Sequence, residues 1–389
     1  MKTALYLFLT FNMLLLFGGC KKKENFAIDL EVETPTFSDK TIRLEGQSSI
    51  SLIFSSKFYL YNSEKPNENF AYADIIDVNN KLFIISQHSE NNIQDHHKGY
   101  LTIAESMDDG ETWSNFRPLV TGFEDAINVS APSFVKISDK HIFIFYLVKY
   151  STSRIDIYSQ ESFDGCTTWT NPQVVSRTNV GYQILNNARV QYINNRIIIP
   201  LSYPQSGDIS NYSLSNNELK LFYYYSEDLG KTWNKSKALS ANLSLLEPGL
   251  ISLSNPAEWL MNIRTDNGKI LFARTKDNGV TWKYENSDII SPSSPQTLLY
   301  DKERKAVFMV WNNTNVNAPS HGANRSPLTM GISYDNGYTW QKIRDIESKT
   351  SLYDYAYVAL KKLDNRIYLV YNERNNKTGK FKVKICSFK

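Results

Sequence analysis

The chain has 389 residues, 41% hydrophobic and 21% charged, which excludes a mostly disordered chain, a collagen-like chain and a long coiled coil. With 43 Lys and Arg against 40 Asp and Glu the net charge is +3, too balanced to indicate a nucleic-acid binder by bulk charge. The 7 Trp, 24 Tyr and 20 Phe make up 13% of the chain and favour sheet, and a chain this long can bury a large core.

Met1–Lys2 supplies a short positive start, and Ala4 to Phe17 is almost wholly apolar. That stretch is short for a transmembrane helix and the right length for a signal-peptide core. Gly18–Gly19–Cys20 follows and resembles the bacterial lipobox, which implies cleavage before Cys20 and lipid attachment there. The expected organisation is a signal peptide at 1–19, a lipidated flexible tether at 20–40 and one folded body at 41–389. The expected location is the bacterial cell envelope, on the periplasmic face or the cell surface. With Cys20 used in this way, Cys166 and Cys386 remain, far apart and in no metal-ligand spacing, and two free structural thiols are expected.

One octet recurs along the chain. Ser106–Met107–Asp108–Asp109–Gly110–Glu111–Thr112–Trp113 is matched by Ser226 to Trp233, Thr275 to Trp282 and Ser333 to Trp340. Ser162 to Trp169 is a fifth copy, in which Cys166 stands where the others have Gly and Gly165 comes one place early. In each, Asp can accept from nearby backbone N–H groups and Gly supplies a left-handed conformation, so the octet reads as a tight hairpin. Strand-like runs such as Tyr100–Ala104 and Leu221–Tyr225 precede it. A multi-strand repeat of roughly 40–60 residues reads as a propeller blade.

The pattern Ser/Thr-x-Asp-x-Gly-x-Thr-Trp is the Asp-box, and its five copies resemble the sialidase (neuraminidase) superfamily. The resemblance covers about residues 40–389 and implies an all-β, six-bladed β-propeller of four-stranded antiparallel blades. Inner strands would begin near Phe70, Ser130, Ala188, Glu247, Ser294 and Tyr355. The segment from Thr41 to Tyr61, with runs such as Ser49–Phe54, is expected to complete the last blade and close the ring. In this family the octets lie at the blade periphery, which implies scaffold rather than site.

The family hydrolyses a ketosidic bond at a carbon that bears a carboxylate. Arg forks match a carboxylate bidentately, and a Tyr activated by a Glu serves as nucleophile beside the anion. The resemblance implies Tyr357 as nucleophile (in Tyr355–Leu360, with Tyr355 as rival), Glu247 as its activator and Asp95 as acid/base, 11 residues before the first octet. It implies Arg264 and Arg325 as clamp residues. The family's first clamp arginine opens the first blade. Here Ala71 falls at that place, and no arginine lies between Arg43 and Arg117. Arg189, in Asn186–Asn187–Ala188–Arg189–Val190, is the candidate substitute.

The expected function is therefore an exo-acting glycosidase releasing a terminal acidic, sialic-acid-like sugar. The alternatives are a non-catalytic carbohydrate-binding propeller at the cell surface and a propeller with no sugar site. The expected partners are a glycan and, through Cys20, a membrane, with no nucleic acid, and the chain is expected to be a monomer. No cofactor or metal is expected: His96 and His97 are adjacent and would point apart on an extended segment, and with His88 they make no convincing metal site.

Overall fold

A computed structural model describes residues 40–42, 50–55, 58–60, 68–90, 93, 97–114, 116–121, 123–177, 181–210, 218–314 and 325–389. Cys20 with its leader, the expected tether up to residue 39, and Asp95 lie outside the described residues, while Lys40, the tether's expected last residue, begins a strand. The described chain contains no helix and forms six four-stranded antiparallel sheets and one separate hairpin. The innermost strands are Asn69–Val78, Asn128–Lys136, Gln191–Ile193, Leu246–Ser252, Thr297–Asp301 and Tyr353–Leu363, which begin blades I to VI. Innermost strands of successive blades touch in order, and that of blade VI touches that of blade I, so the ring is closed. Each sequence-predicted start falls within a few residues of its strand.

Blade VI is completed from the other end of the chain. Phe58–Leu60 pairs with Phe381–Phe388, with Val383 opposite Leu60 and Ile385 opposite Phe58. Ser55 and Ser387 also bond through backbone and side chains. The earlier part of the segment expected to do this, Thr41 to Tyr61, is placed elsewhere. Ile50–Leu52 pairs with Lys40–Ile42 as a hairpin outside the blades, and only Phe54 bridges to Phe388. The closing strand is thus the later part of the predicted segment.

The core lies between blades rather than within one. All eight residues of Ile142–Lys149, the second strand of blade II, are buried. Ile142, Ile144, Tyr146 and Val148 pack with blade I, while Phe143, Phe145 and Leu147 pack with blade III. The two-residue period of a strand thus feeds two interfaces at once. Each large apolar side chain buried in this way contributes about 1.5–3 kcal/mol relative to exposure.

The five octets connect the third and fourth strands of blades I to V. In the first copy Ser106 Oγ donates to Asp108 Oδ1 at 2.8 Å and accepts from the Gly110 N–H at 2.9 Å. The Asp108 carboxylate also accepts from the N–H and hydroxyl of Thr112. The turn needs two consecutive left-handed residues, Asp109 (φ 57°) and Gly110 (φ 90°). In the second copy Gly165 (φ 70°) and Cys166 (φ 69°) supply the same pair in reversed order, which is how the octet tolerates the displaced glycine. Cys166 and Cys386 are both buried, and neither forms a disulfide among the described residues.

Each octet docks on the blade before it. Tyr368 of blade VI donates to Asp109 O, Arg117 of blade I to Cys166 O, Tyr223 of blade III to Gly279 O and Arg274 of blade IV to Asn336 O. Trp233 meets Phe145 of blade II edge-on at 5.9 Å. The octets are therefore inter-blade fasteners.

Candidate active site

The innermost strands share an irregularity. Registers slip between Ala71 and Asp74, Ser130 and Ser133, Leu246 and Gly249, and Ala356 and Ala359. Inside these bulges Tyr72 (φ 51°), Ala131 (φ 53°), Glu247 (φ 39°) and Tyr357 (φ 59°) adopt left-handed conformations, and Ala188 (φ 56°) does so ahead of the blade III strand. A bulge re-aims a side chain, and a non-glycine residue in this region is held there by its surroundings. Five of six blades thus turn one residue out of the strand pattern near the propeller axis, and two of the five are the residues singled out as nucleophile and activator.

The surroundings that hold the bulges are a ring of side-chain bonds between neighbouring blades. Gln87 donates to Asn128 Oδ1 at 3.0 Å, and Ser133 Oγ accepts from the Arg189 N–H at 3.1 Å. Ser202 Oγ accepts from the Glu247 N–H at 3.3 Å, and Asn262 Nδ2 donates to Gln296 O at 2.8 Å. Asn312 Nδ2 donates to Tyr355 O at 3.0 Å, and Asn372 Oδ1 accepts from the Tyr72 N–H at 2.9 Å. All six junctions are tied. Across the axis, Asn187 Nδ2 of blade III donates to Ala73 O of blade I at 2.7 Å and to Tyr357 O of blade VI at 3.1 Å.

Glu247 and Arg264 form a buried ion pair, with Arg264 Nη1 2.7 Å from Glu247 Oε2. They come from the first two strands of blade IV, and Arg264 is fully buried. Arg264 Nε donates to Ser293 Oγ at 3.1 Å, and Arg325 Nη2 reaches the main-chain oxygen of the same Ser293 at 3.4 Å. Ser293 therefore links the two arginines. Arg325 is 8% exposed, and its N–H is held by Asp354 Oδ1 at 2.8 Å. Its guanidinium lies over the Tyr357 ring, 5.3 Å from the centroid. Glu247, Arg264, Arg325 and Tyr357 thus form two contact pairs that Ser293 joins.

Tyr355 is placed elsewhere. It is buried between Glu347, Glu373 and Lys384, and burial first, then the two carboxylates, pushes its phenol well above the ordinary range. Lys384 Nζ lies 5.7 Å from its ring centroid and bonds both carboxylates. Tyr357, at the bulge and half-buried, is the tyrosine that accompanies Arg325.

Arg189, the candidate substitute clamp, is 2% exposed. Its Nη2 donates to Gln296 O at 2.6 Å and its Nη1 to Thr297 Oγ1 at 3.1 Å, while Thr297 Oγ1 donates on to Val358 O at 2.7 Å. Burial pulls its guanidinium down to about 10, against the opposing pull of Glu247 and Asp74. Arg189 therefore bonds blade V and, through Thr297, the residue next to Tyr357. Gly249 permits this approach: a Cβ there would lie 2.4 Å from Asn262 Oδ1 and 2.9 Å from Arg189 Nη1.

Ala71 is fully buried, and the half-buried residue of that stretch is Tyr72. Its ring meets the Tyr357 ring edge-on, with centroids 4.6 Å apart and an interplanar angle of 76°. Neither Tyr72 nor Asn187 was a sequence candidate. Asn187 stood in the quoted Asn-Asn-Ala-Arg segment, and the signal for Tyr72 was its place one residue past the expected arginine.

A closed six-bladed propeller with Asp-box hairpins and this axial cluster defines the protein as sialidase-like. The chain belongs to the family described as BNR repeat-like domain, which matches residues 102–369. Among solved structures it is similar to the Trypanosoma rangeli sialidase, with a TM-score of 0.66 and 13% identity over 86% of this chain and 56% of that one. It is similar also to the NanB sialidase of Streptococcus pneumoniae, with a TM-score of 0.62 and 13% identity over 83% of this chain and 69% of that one. The chain spans little more than half the length of the T. rangeli enzyme. A search of curated protein sequences returns no match.

Proposed function

We propose that this protein is an exo-acting glycoside hydrolase of the sialidase type that releases a terminal acidic sugar from glycans. The observation that carries the reading is the grouping of Glu247–Arg264 and Arg325–Tyr357 about Ser293, with both Glu247 and Tyr357 on inner-strand bulges. Arg325 would hold the sugar's carboxylate, with Arg264 beside it. Glu247 would accept the phenol proton as Tyr357 Oη bonds the anomeric carbon and the glycosidic C–O bond breaks. Asp95 would give its proton to the departing oxygen. Water, deprotonated by Asp95, would then displace the phenol oxygen, which recovers its proton from Glu247. Lipid attachment at Cys20 would keep this chemistry at the envelope, and Cys20→Ser should then release the protein from the membrane fraction.

The test is turnover of a panel of fluorogenic glycosides by wild type, Tyr357→Phe and Glu247→Gln. A loss of about 100-fold or more in each variant is expected, in line with removal of a nucleophile or its base. Equal activity in wild type and Tyr357→Phe sinks the assignment. One observation favours the non-catalytic alternative: Arg189 spends its guanidinium on blade V, and Arg264 is already paired. Glycan binding on an array without turnover of the bound glycan would establish that second reading.

A further inference from the structure

We propose that Tyr72 is a specificity-determining residue of this site: its ring is the wall on which an apolar face of the bound sugar packs beside Tyr357. The proposal rests on the glycosidase reading and adds to it the part played by Tyr72.

Three observations carry it. The first is placement. Phe70, Ala71, Ala73 and Asp74 are buried around Tyr72, and Tyr72 alone in that run is half open. A bulky residue at φ 51° is rare, and here the conformation is fixed by the Asn372 tie. The second is contact. The Tyr72 ring abuts the Tyr357 ring at 4.6 Å, and Arg325 lies over that same Tyr357 ring. The wall therefore runs from guanidinium to phenol to phenol.

The third is charge. Arg264 has Glu247 at 2.7 Å, and Arg189 is bonded to blade V. Among the described residues no carboxylate pairs with the Arg325 guanidinium, and its buried Nε has no hydrogen-bond partner. One uncompensated cation suits one carboxylate. A pyranose whose carboxylate faces Arg325 can turn its C–H face to Tyr72, where an aromatic ring packs with apolar surface.

The experiment measures kcat and KM on the 4-methylumbelliferyl α-glycoside of N-acetylneuraminic acid and on its C1 methyl ester. The proteins are wild type and Tyr72→Gly, Tyr72→Phe and Tyr72→Arg, each with its melting temperature. Glycine accepts φ 51°, so Tyr72→Gly removes the ring without backbone strain. Tyr72→Gly should raise KM about tenfold on both substrates while kcat changes less than about threefold, and Tyr72→Phe should stay near wild type. Tyr72→Arg should favour the free acid over the ester by about a further tenfold, as an added charge-assisted contact would.

If wild type is active and Tyr72→Gly keeps both KM values within about twofold, the Tyr72 proposal fails and the glycosidase reading stands. If wild type hydrolyses neither substrate, N-acetylneuraminic acid is excluded as the sugar released, the panel above decides the glycosidase reading, and Tyr72 is judged by saturation-transfer NMR with free N-acetylneuraminic acid. Signal in wild type that is lost in Tyr72→Gly supports the wall. Equal signal in the two, or none in wild type, overturns it.

Discussion

The side-chain amide of Asn187, on blade III, donates to the main-chain oxygen of Tyr357, on blade VI, over 3.1 Å. The same Nδ2 donates to Ala73 O of blade I at 2.7 Å, so one buried amide fixes the candidate nucleophile's backbone to two other blades. Asn187→Ala leaves two carbonyls without this donor, and Asn187→Asp removes the donor while keeping the shape. Both should cost about 1–3 kcal/mol of stability. Both should also lower turnover by at least about tenfold, because small displacements of a reacting group are expensive. Thermal melts and kcat on the substrate that wild type prefers read the two effects separately. Unchanged kcat in a destabilised Asn187→Asp would limit Asn187 to a structural part.

Glu247 and Arg264 should behave as a unit. Glu247→Gln removes the carboxylate 2.7 Å from a fully buried guanidinium, and removing one partner of a buried pair costs about 3–5 kcal/mol. The double variant Glu247→Gln/Arg264→Met removes both charges and should recover much of that stability. It should not recover activity. Denaturant unfolding of the two variants against wild type checks the first expectation, and kcat/KM checks the second.

Gly249→Ala tests the close packing beneath the site. Its Cβ would meet Asn262 Oδ1 at 2.4 Å and Arg189 Nη1 at 2.9 Å, both from buried side chains with bonds of their own to blade V. The expected cost is about 1–3 kcal/mol, typical of overpacking. Turnover should fall as well, since Arg189 bears on Val358 through Thr297. A melting temperature equal to wild type would show that Arg189 yields without consequence.

The octets predict an acid limit to stability. The Thr232 hydroxyl, then the Thr232 N–H, hold the Asp228 carboxyl at about 2, below its ordinary value near 3.8. The Thr168 hydroxyl and N–H do the same for Asp164, also to about 2. A depressed carboxyl gives stability that is complete above the unfolded value and is lost as pH falls through the folded one. The melting temperature should therefore drop between about pH 4 and pH 2. Asp228→Asn and Asp164→Asn should each lower it at neutral pH and flatten the acid slope.

The repeat made most of the fold legible. An Asp, a Gly and a Trp at fixed spacing mark a turn through local chemistry and locate five blades, while the sixth, which has no octet, is implied by the family resemblance. Arg264, Arg325, Glu247 and Tyr357 are implied by the resemblance alone, and the structure brings them into two contact pairs about Ser293. Ala71 shows where local reading stops. Strict alternation would put it in line with the axis, but the bulge between Ala71 and Asp74 slips the register and brings Tyr72 there. The bonds of Arg189 are not legible locally, because its partners Gln296 and Thr297 are more than 100 residues away and nothing near Arg189 signals them. The closing strand Phe58–Leu60 lies inside the segment from Thr41 to Tyr61 expected to supply it, while Ile50–Leu52 of the same segment pairs with Lys40–Ile42 instead.

That closing strand has a mechanical consequence. A row of stacked repeats has two ends, and its end units can peel away singly at low cost. Here the seam between Phe58–Leu60 and Phe381–Phe388 removes both ends, so no blade can leave without opening the ring. Slow amide exchange should therefore be shared by all six blades, with opening concentrated at one clasp. The bulged residues facing the axis gain from this, because a hoop under uniform constraint keeps its centre fixed whichever segment of the rim is disturbed.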